Sequence, residues 1–141
     1  KIKLEKEYSK NLLNINADLN IMRMVLQNLI SNAVKYTTKG GRISVKISKE
    51  EKNFTIEVSN TGYGIPKNQQ DKIFTKLFRA DNAREIDPEG NGLGLYIVKS
   101  IINSAGGKIW FNSVENETTT FYVSIPIQGM EKKEGVKGLI L

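Results

Sequence analysis

Apolar positions along this chain follow two rhythms. Between residues 19 and 37, Met22, Val25, Leu26, Leu29 and Ala33 recur at the three-and-four spacing that lays one stripe along a helix. Lys39-Gly40-Gly41 ends it. The rhythm then becomes alternation, with Ile43, Val45 and Ile47 on one side and Arg42, Ser44 and Lys46 on the other. After a polar turn at residues 50–53 it resumes with Phe54, Ile56 and Val58, which predicts a hairpin with one wet face. Gly62-Tyr63-Gly64-Ile65-Pro66 predicts a sharp turn, with Pro66 placed to open a helix carrying Ile73, Phe74, Leu77 and Phe78. Residues 79–91 are polar, hold Pro88 and Gly90, and read as a long irregular loop, the length at which loops usually serve as lids.

A helix over residues 93–105 follows, with Leu95, Val98, Ile102 and Ala105 on one face and Gly106-Gly107 at its end. Strands over residues 108–112 and 119–125 close the pattern at Pro126. Residues 1–16 carry short apolar stretches (Ile2 and Leu4; Leu12, Leu13 and Ile15) and read as a linker end plus a strand. The expected layout is an α/β two-layer sandwich: a mixed sheet of about five strands, three helices on one face and a polar opposite face. The expected boundaries are a linker end at 1–10, a domain at 11–127 and a charged tail at 128–141, which ends Gly138-Leu139-Ile140-Leu141.

Composition narrows the chemistry. A length of 141 residues suits one domain, and no apolar run is long enough to span a membrane. No signal-peptide pattern opens the chain. Cysteine and histidine are both 0, which removes disulfides, thiolate or imidazole metal sites, Ser-His-Asp catalysis and any phosphohistidine on this chain. The net charge of +6 suits a phosphate-bearing ligand, but the lysines are spread along the chain, as on a solvated surface. Basic residues are not clustered among aromatics, so nucleic acid is not an expected partner.

Asn28, Asn32 and Lys35 share one stripe of the first helix, beside its apolar face. Asparagine is a poor helix former, so two of them one turn apart want a reason. Either both amides bond neighbouring backbone, or their oxygens face Mg²⁺ with its phosphates, Lys35 meets phosphate, and Tyr36 offers a ring to a flat base. Two glycine clusters add to this. Asn60-Thr61-Gly62-Tyr63-Gly64 follows a strand, and Gly90-Asn91-Gly92-Leu93-Gly94-Leu95 opens a helix whose free N–H groups favour an anion. Neither has Walker or dinucleotide-site spacing.

These motifs, in this order, resemble those of sensor histidine kinases. Asn28-Leu29-Ile30-Ser31-Asn32-Ala33-Val34-Lys35-Tyr36-Thr37 resembles their N box, and Asn60-Thr61-Gly62-Tyr63-Gly64-Ile65-Pro66 their G1 box. Ile73-Phe74-Thr75-Lys76-Leu77-Phe78-Arg79 resembles the F box, and Gly90-Asn91-Gly92-Leu93-Gly94-Leu95 the G2 box. The resemblance covers roughly residues 11–126 and implies the Bergerat-type ATP-binding fold with a mobile ATP lid over 79–91.

It implies Mg²⁺ on Asn32, with Asn28 beside it at the phosphates and Lys35 touching them. Tyr36 would pack near the adenine, in a pocket shaped by Gly62, Gly64 and Ile65. Gly92, Leu93, Gly94 and Leu95 would bring backbone near the phosphates. Arg79 and Arg84 sit where relatives place arginines that reach the γ-phosphate, unless they are solvated lid charges. Phe74 and Phe78 would anchor the lid base or dock a partner domain. One departure stands out: the family's G1 box usually opens with Asp, which accepts from the adenine amine, and here it is Asn60. Its amide oxygen can still accept, without charge assistance, at a cost of about 1 kcal/mol.

More distantly, the fold resembles gyrase, mismatch-repair and heat-shock chaperone ATPases. Those place a water-activating Glu one turn before the magnesium Asn, where this chain has Asn28. Slow hydrolysis and transfer of the γ-phosphoryl to another group are therefore expected. The acceptor would be a histidine on a separate helical dimerisation domain, with a response regulator downstream. The resemblance implies a cytoplasmic domain, without membrane contact of its own, in a parent that in most relatives is a membrane sensor. The alternative is a degenerate nucleotide-binding or docking module without transfer.

Overall fold

In a computed structural model, residues 1–10 and 18–128 are described. Leu12, Leu13, Ile15 and the start of the expected domain at 11 lie outside them, as does the tail from 129. Five strands form one sheet: β1 (Lys3–Tyr8), β2 (Arg42–Lys49), β3 (Asn53–Thr61), β4 (Lys108–Val114) and β5 (Thr118–Pro126), in the order β1-β2-β3-β5-β4. β1 runs parallel to β2, and every other pairing is antiparallel, so the sheet is mixed as expected. β1 lies within residues 1–10. It is an edge strand, within the stretch 1–16 expected to hold a linker end and a strand, and Leu4, Lys6 and Tyr8 pair with Ile43, Val45 and Ile47.

Two long helices, α1 (Leu19–Tyr36) and α3 (Gly94–Ser104), cover one face. α1 starts where the Asp18 carboxylate accepts from the N–H groups of Asn20 (2.8 Å) and Ile21 (3.3 Å), a cap worth about 1 kcal/mol. It stops where Thr37 turns extended, bonds its hydroxyl to Ala33 O and bridges to Gly62. Val25, Leu29 and Ala33 of α1 and Val98 and Ile102 of α3 pack onto the inward residues of the sheet. Those are Ile43, Val45, Phe54, Ile56, Val58, Phe121, Val123 and Ile125, and each large one stabilises by roughly 1.5–3 kcal/mol.

The expected third helix over Ile73–Phe78 does not form. A 3-10 helix (Lys67–Lys72) is followed by turns, and Leu77 takes φ 63°, a left-handed conformation no α-helix contains. The break lets the Leu77 N–H reach Gly92 O at 3.0 Å, tying the segment to the glycine loop. Ile73 is buried, while Leu77 is 62% exposed. Phe74 meets Phe111 and Phe121 edge-on, at 5.8 and 6.4 Å between ring centres. The lid stretch is less irregular than expected, because α2 (Asp81–Ile86) lies within it. The opposite sheet face is not uniformly polar either. Trp110, 42% exposed, stacks on Tyr122 at 5.3 Å among Ser, Thr, Lys and Glu side chains.

Candidate functional site

The inner face of α1, the end of β3, the lid and the start of α3 enclose a cleft of about 220 Å³. Asn28, Asn32, Lys35 and Tyr36 line it from α1. Asn60, Gly64 and Ile65 line it after β3, Arg79 from the lid base, and Gly92, Gly94 and Leu95 from the glycine loop and α3. Of the sequence candidates, Gly62, Arg84 and Leu93 do not line it.

The cleft has two unlike ends. One is polar. Asn28 Nδ2 donates to Met24 O at 2.9 Å, which fixes the amide and turns its oxygen toward α3. A Cβ on Gly94 would fall 2.7 Å from that oxygen, so a side chain there would push the Asn28 amide aside. The first turn of α3 has no side-chain cap, and its Gly94 and Leu95 line the cleft at the positive end of the helix dipole. The Leu93 N–H is already taken, by Asn91 Oδ1 at 3.0 Å.

Lys35 is at the same end, with Nζ 2.8 Å from Asp87 Oδ2 of the lid. That hydrogen bond, and then the charges of Lys35 and Arg79, hold the Asp87 carboxyl below the ordinary carboxylate range. Arg79 is turned into the lid. Its guanidinium donates to Ala83 O (2.9 Å), Pro88 O (3.2 Å) and Asp87 O, carbonyls in and just after the last turn of α2. Arg84 is exposed on α2.

The other end is apolar. Ile65, Ile73 and Phe121 form its walls. Two buried polar side chains form its floor, Asn60 (5% exposed) and Thr119 (6%), which face each other across the β3–β5 pairing. Gly62 acts behind this end. A Cβ there would fall 2.0 Å from Tyr36 O, so the glycine lets β3 close against the end of α1. Gly64, with φ 62°, lies where a Cβ would meet Val114 O at 2.2 Å, and its carbonyl accepts from Asn82 Nδ2 at 3.0 Å.

Sequence reasoning missed Asp87, Asn82 and Thr119. Thr119 could have been found by pairing the last strand against Asn60. Asp87 has no local signal, being one of several lid acids.

The family model described as "Histidine kinase-, DNA gyrase B-, and HSP90-like ATPase" matches residues 17–129. Sensor histidine kinase WalK of Bacillus subtilis is 38% identical over 126 residues, which cover 85% of this chain and 21% of WalK. The chain thus spans about a fifth of that relative's length. The nucleotide-free catalytic domain of histidine kinase ThkA superposes with a TM-score of 0.76 at 32% identity, over 89% of this chain and 80% of that one. Full-length ShkA in complex with AMPPNP superposes with a TM-score of 0.75 at 26% identity, over 89% of this chain and 25% of that one.

Proposed function

The chain belongs to the histidine kinase-, DNA gyrase B- and HSP90-like ATPase family, and from that membership we propose that it binds Mg-ATP and donates the γ-phosphoryl group to a histidine on a separate helical dimerisation domain of a sensor kinase. The observation that carries this reading is the two-ended cleft. An apolar slot with a buried amide and hydroxyl at its floor suits a flat base, and amides, cations and an uncapped helix start suit phosphates.

In this reading the base lies against Ile65 with Asn60 at its edge, and Tyr36 packs beside it. Lys35 and the α3 N-terminus, reached through Gly92, Leu93 and Gly94, take the phosphates, with Leu95 below them. Arg79 and Arg84 serve from the lid, Arg79 by holding α2 in shape. Mg²⁺ fits the donor set only together with the nucleotide. Asn32 and Asn28 offer neutral amide oxygens, and the described residues hold no cluster of three or more acidic, histidine or cysteine side chains. When bound, Mg²⁺ would neutralise phosphate charge. Asn28 cannot accept a proton, and Asp87, the carboxylate lining the cleft, is held by Lys35. Water activation is therefore weak, and ATP survives until an acceptor arrives.

Transfer forms a bond from an imidazole nitrogen to the γ-phosphorus as the bond to the β-bridging oxygen breaks, releasing ADP. The imidazole comes from elsewhere, since this chain has no histidine. The reading makes this the cytoplasmic ATP-binding part of a two-component sensor, with a response regulator downstream. No helix among the described residues is long and apolar enough to cross a membrane.

The test mixes the chain with a histidine-bearing helical hairpin from a sensor kinase and γ-labelled ATP. The expected result is Mg-dependent ATP binding, lost in Asn32→Ala, and label on the hairpin histidine. Absence of ATP binding overturns the reading. Binding without label leaves a nucleotide-binding module.

A further inference from the structure

The floor of the apolar end decides which purine edge the cleft accepts. Ser113 Oγ accepts from the Ile65 N–H (2.9 Å) and lies 3.0 Å from Thr118 O, which can take its single proton. In the arrangement where Ser113 donates to Thr118 O, Thr119 Oγ1, 2.8 Å from Ser113 Oγ, gives its own proton to Ser113. Its lone pairs are then an acceptor at the floor. Asn60 is the opposite case. Its Nδ2 has Thr61 O at 3.5 Å, the outer limit of a hydrogen bond, so the amide can turn over at little cost.

We infer that Asn60 and Thr119 make this a site for 6-oxopurine as well as 6-aminopurine triphosphates. The inference rests on the reading above, that a purine base fills the apolar end. An adenine edge presents a 6-amine donor, which the Asn60 oxygen accepts. A hypoxanthine edge presents a 6-oxo acceptor beside an N1–H donor. Turned over, Asn60 Nδ2 donates to the 6-oxo group while the N1–H finds Thr119 Oγ1. A carboxylate at position 60 has only acceptors and repels the 6-oxo oxygen, so it selects the amine. Asparagine removes that selection.

The experiment measures dissociation constants for Mg-ATP and Mg-ITP by calorimetry, on the chain as it stands and on Asn60→Asp and Thr119→Val. The unsubstituted chain is expected to bind the two within about fivefold of each other, and Asn60→Asp to shift the ratio toward ATP by about tenfold or more. Thr119→Val keeps the side-chain shape without the acceptor. It is expected to weaken ITP more than ATP, which tests the same floor should Asn60→Asp fold poorly. ATP binding with more than about fivefold preference over ITP overturns this inference alone. A ratio that neither substitution moves also overturns it. If neither nucleotide binds, the nucleotide reading falls with it.

Discussion

Lys35 Nζ and Asp87 Oδ2 stand 2.8 Å apart, joining the last turn of α1 to the far end of the lid. The cation assigned to phosphate is thus already occupied by the lid's own carboxylate. Under the proposed function a nucleotide would have to displace Asp87 to reach Lys35, which would make entry of phosphate and release of the lid one event.

Asp87→Asn is therefore expected to raise ATP affinity, by about threefold for a pair this open to solvent. Lys35→Ala is expected to lower it by about tenfold or more, since a phosphate contact is lost outright. Calorimetry of both variants checks this. Weaker binding by Asp87→Asn would contradict the latch.

Because the folded Asp87 carboxyl is held below its ordinary value, the ion pair is fully present above the unfolded carboxylate pKa of about 3.9. It is lost only as pH falls through the lower folded value. With no histidine in the chain, the latch is expected to be indifferent to pH between about 6 and 8. A carboxyl-carbon NMR titration checks it, with the Asp87 midpoint expected below that of an unstructured aspartate.

Arg79 holds three carbonyls at the end of α2, and no side-chain hydrogen bond caps that helix at its start. Arg79→Ala is expected to unravel α2, with amide-exchange protection over the lid falling by about 1–2 kcal/mol while α1 and α3 keep theirs. Arg79→Lys is expected to rescue little, because an ammonium lacks the guanidinium's planar fork of donors.

Gly62 is expected to act through packing and not through ligand contact. Gly62→Ala forces a carbon against the Tyr36 carbonyl and is expected to cost about 2 kcal/mol or more in denaturant unfolding. Whatever fraction remains folded should bind nucleotide nearly unchanged.

Elements with long, clean periodicity were legible in the sequence. α1, the β2–β3 hairpin and α3 follow directly from Val25, Leu29 and Ala33, from Ile43 to Val58, and from Val98 and Ile102. The segment from Ile73 to Phe78 misled because its apolar spacing also fits a helix. Only the bond from Leu77 to Gly92, far along the chain, reveals the reversal. α2 was hidden for a related reason: Arg79 stabilises it through backbone carbonyls, which leave no trace in a pattern of side chains. In the cleft, the amide stripe and glycine loops were legible because their residue types are unusual where they stand. Asp87 was not, since its role depends on a partner 52 residues away.

The chain's single tryptophan, Trp110, stacks on Tyr122 behind the sheet, with the whole strand layer between it and the cleft. Its emission should stay dark to whatever fills the front of the molecule. A protein laid across the back would shift its colour, so light from this one ring separates the two faces without any label.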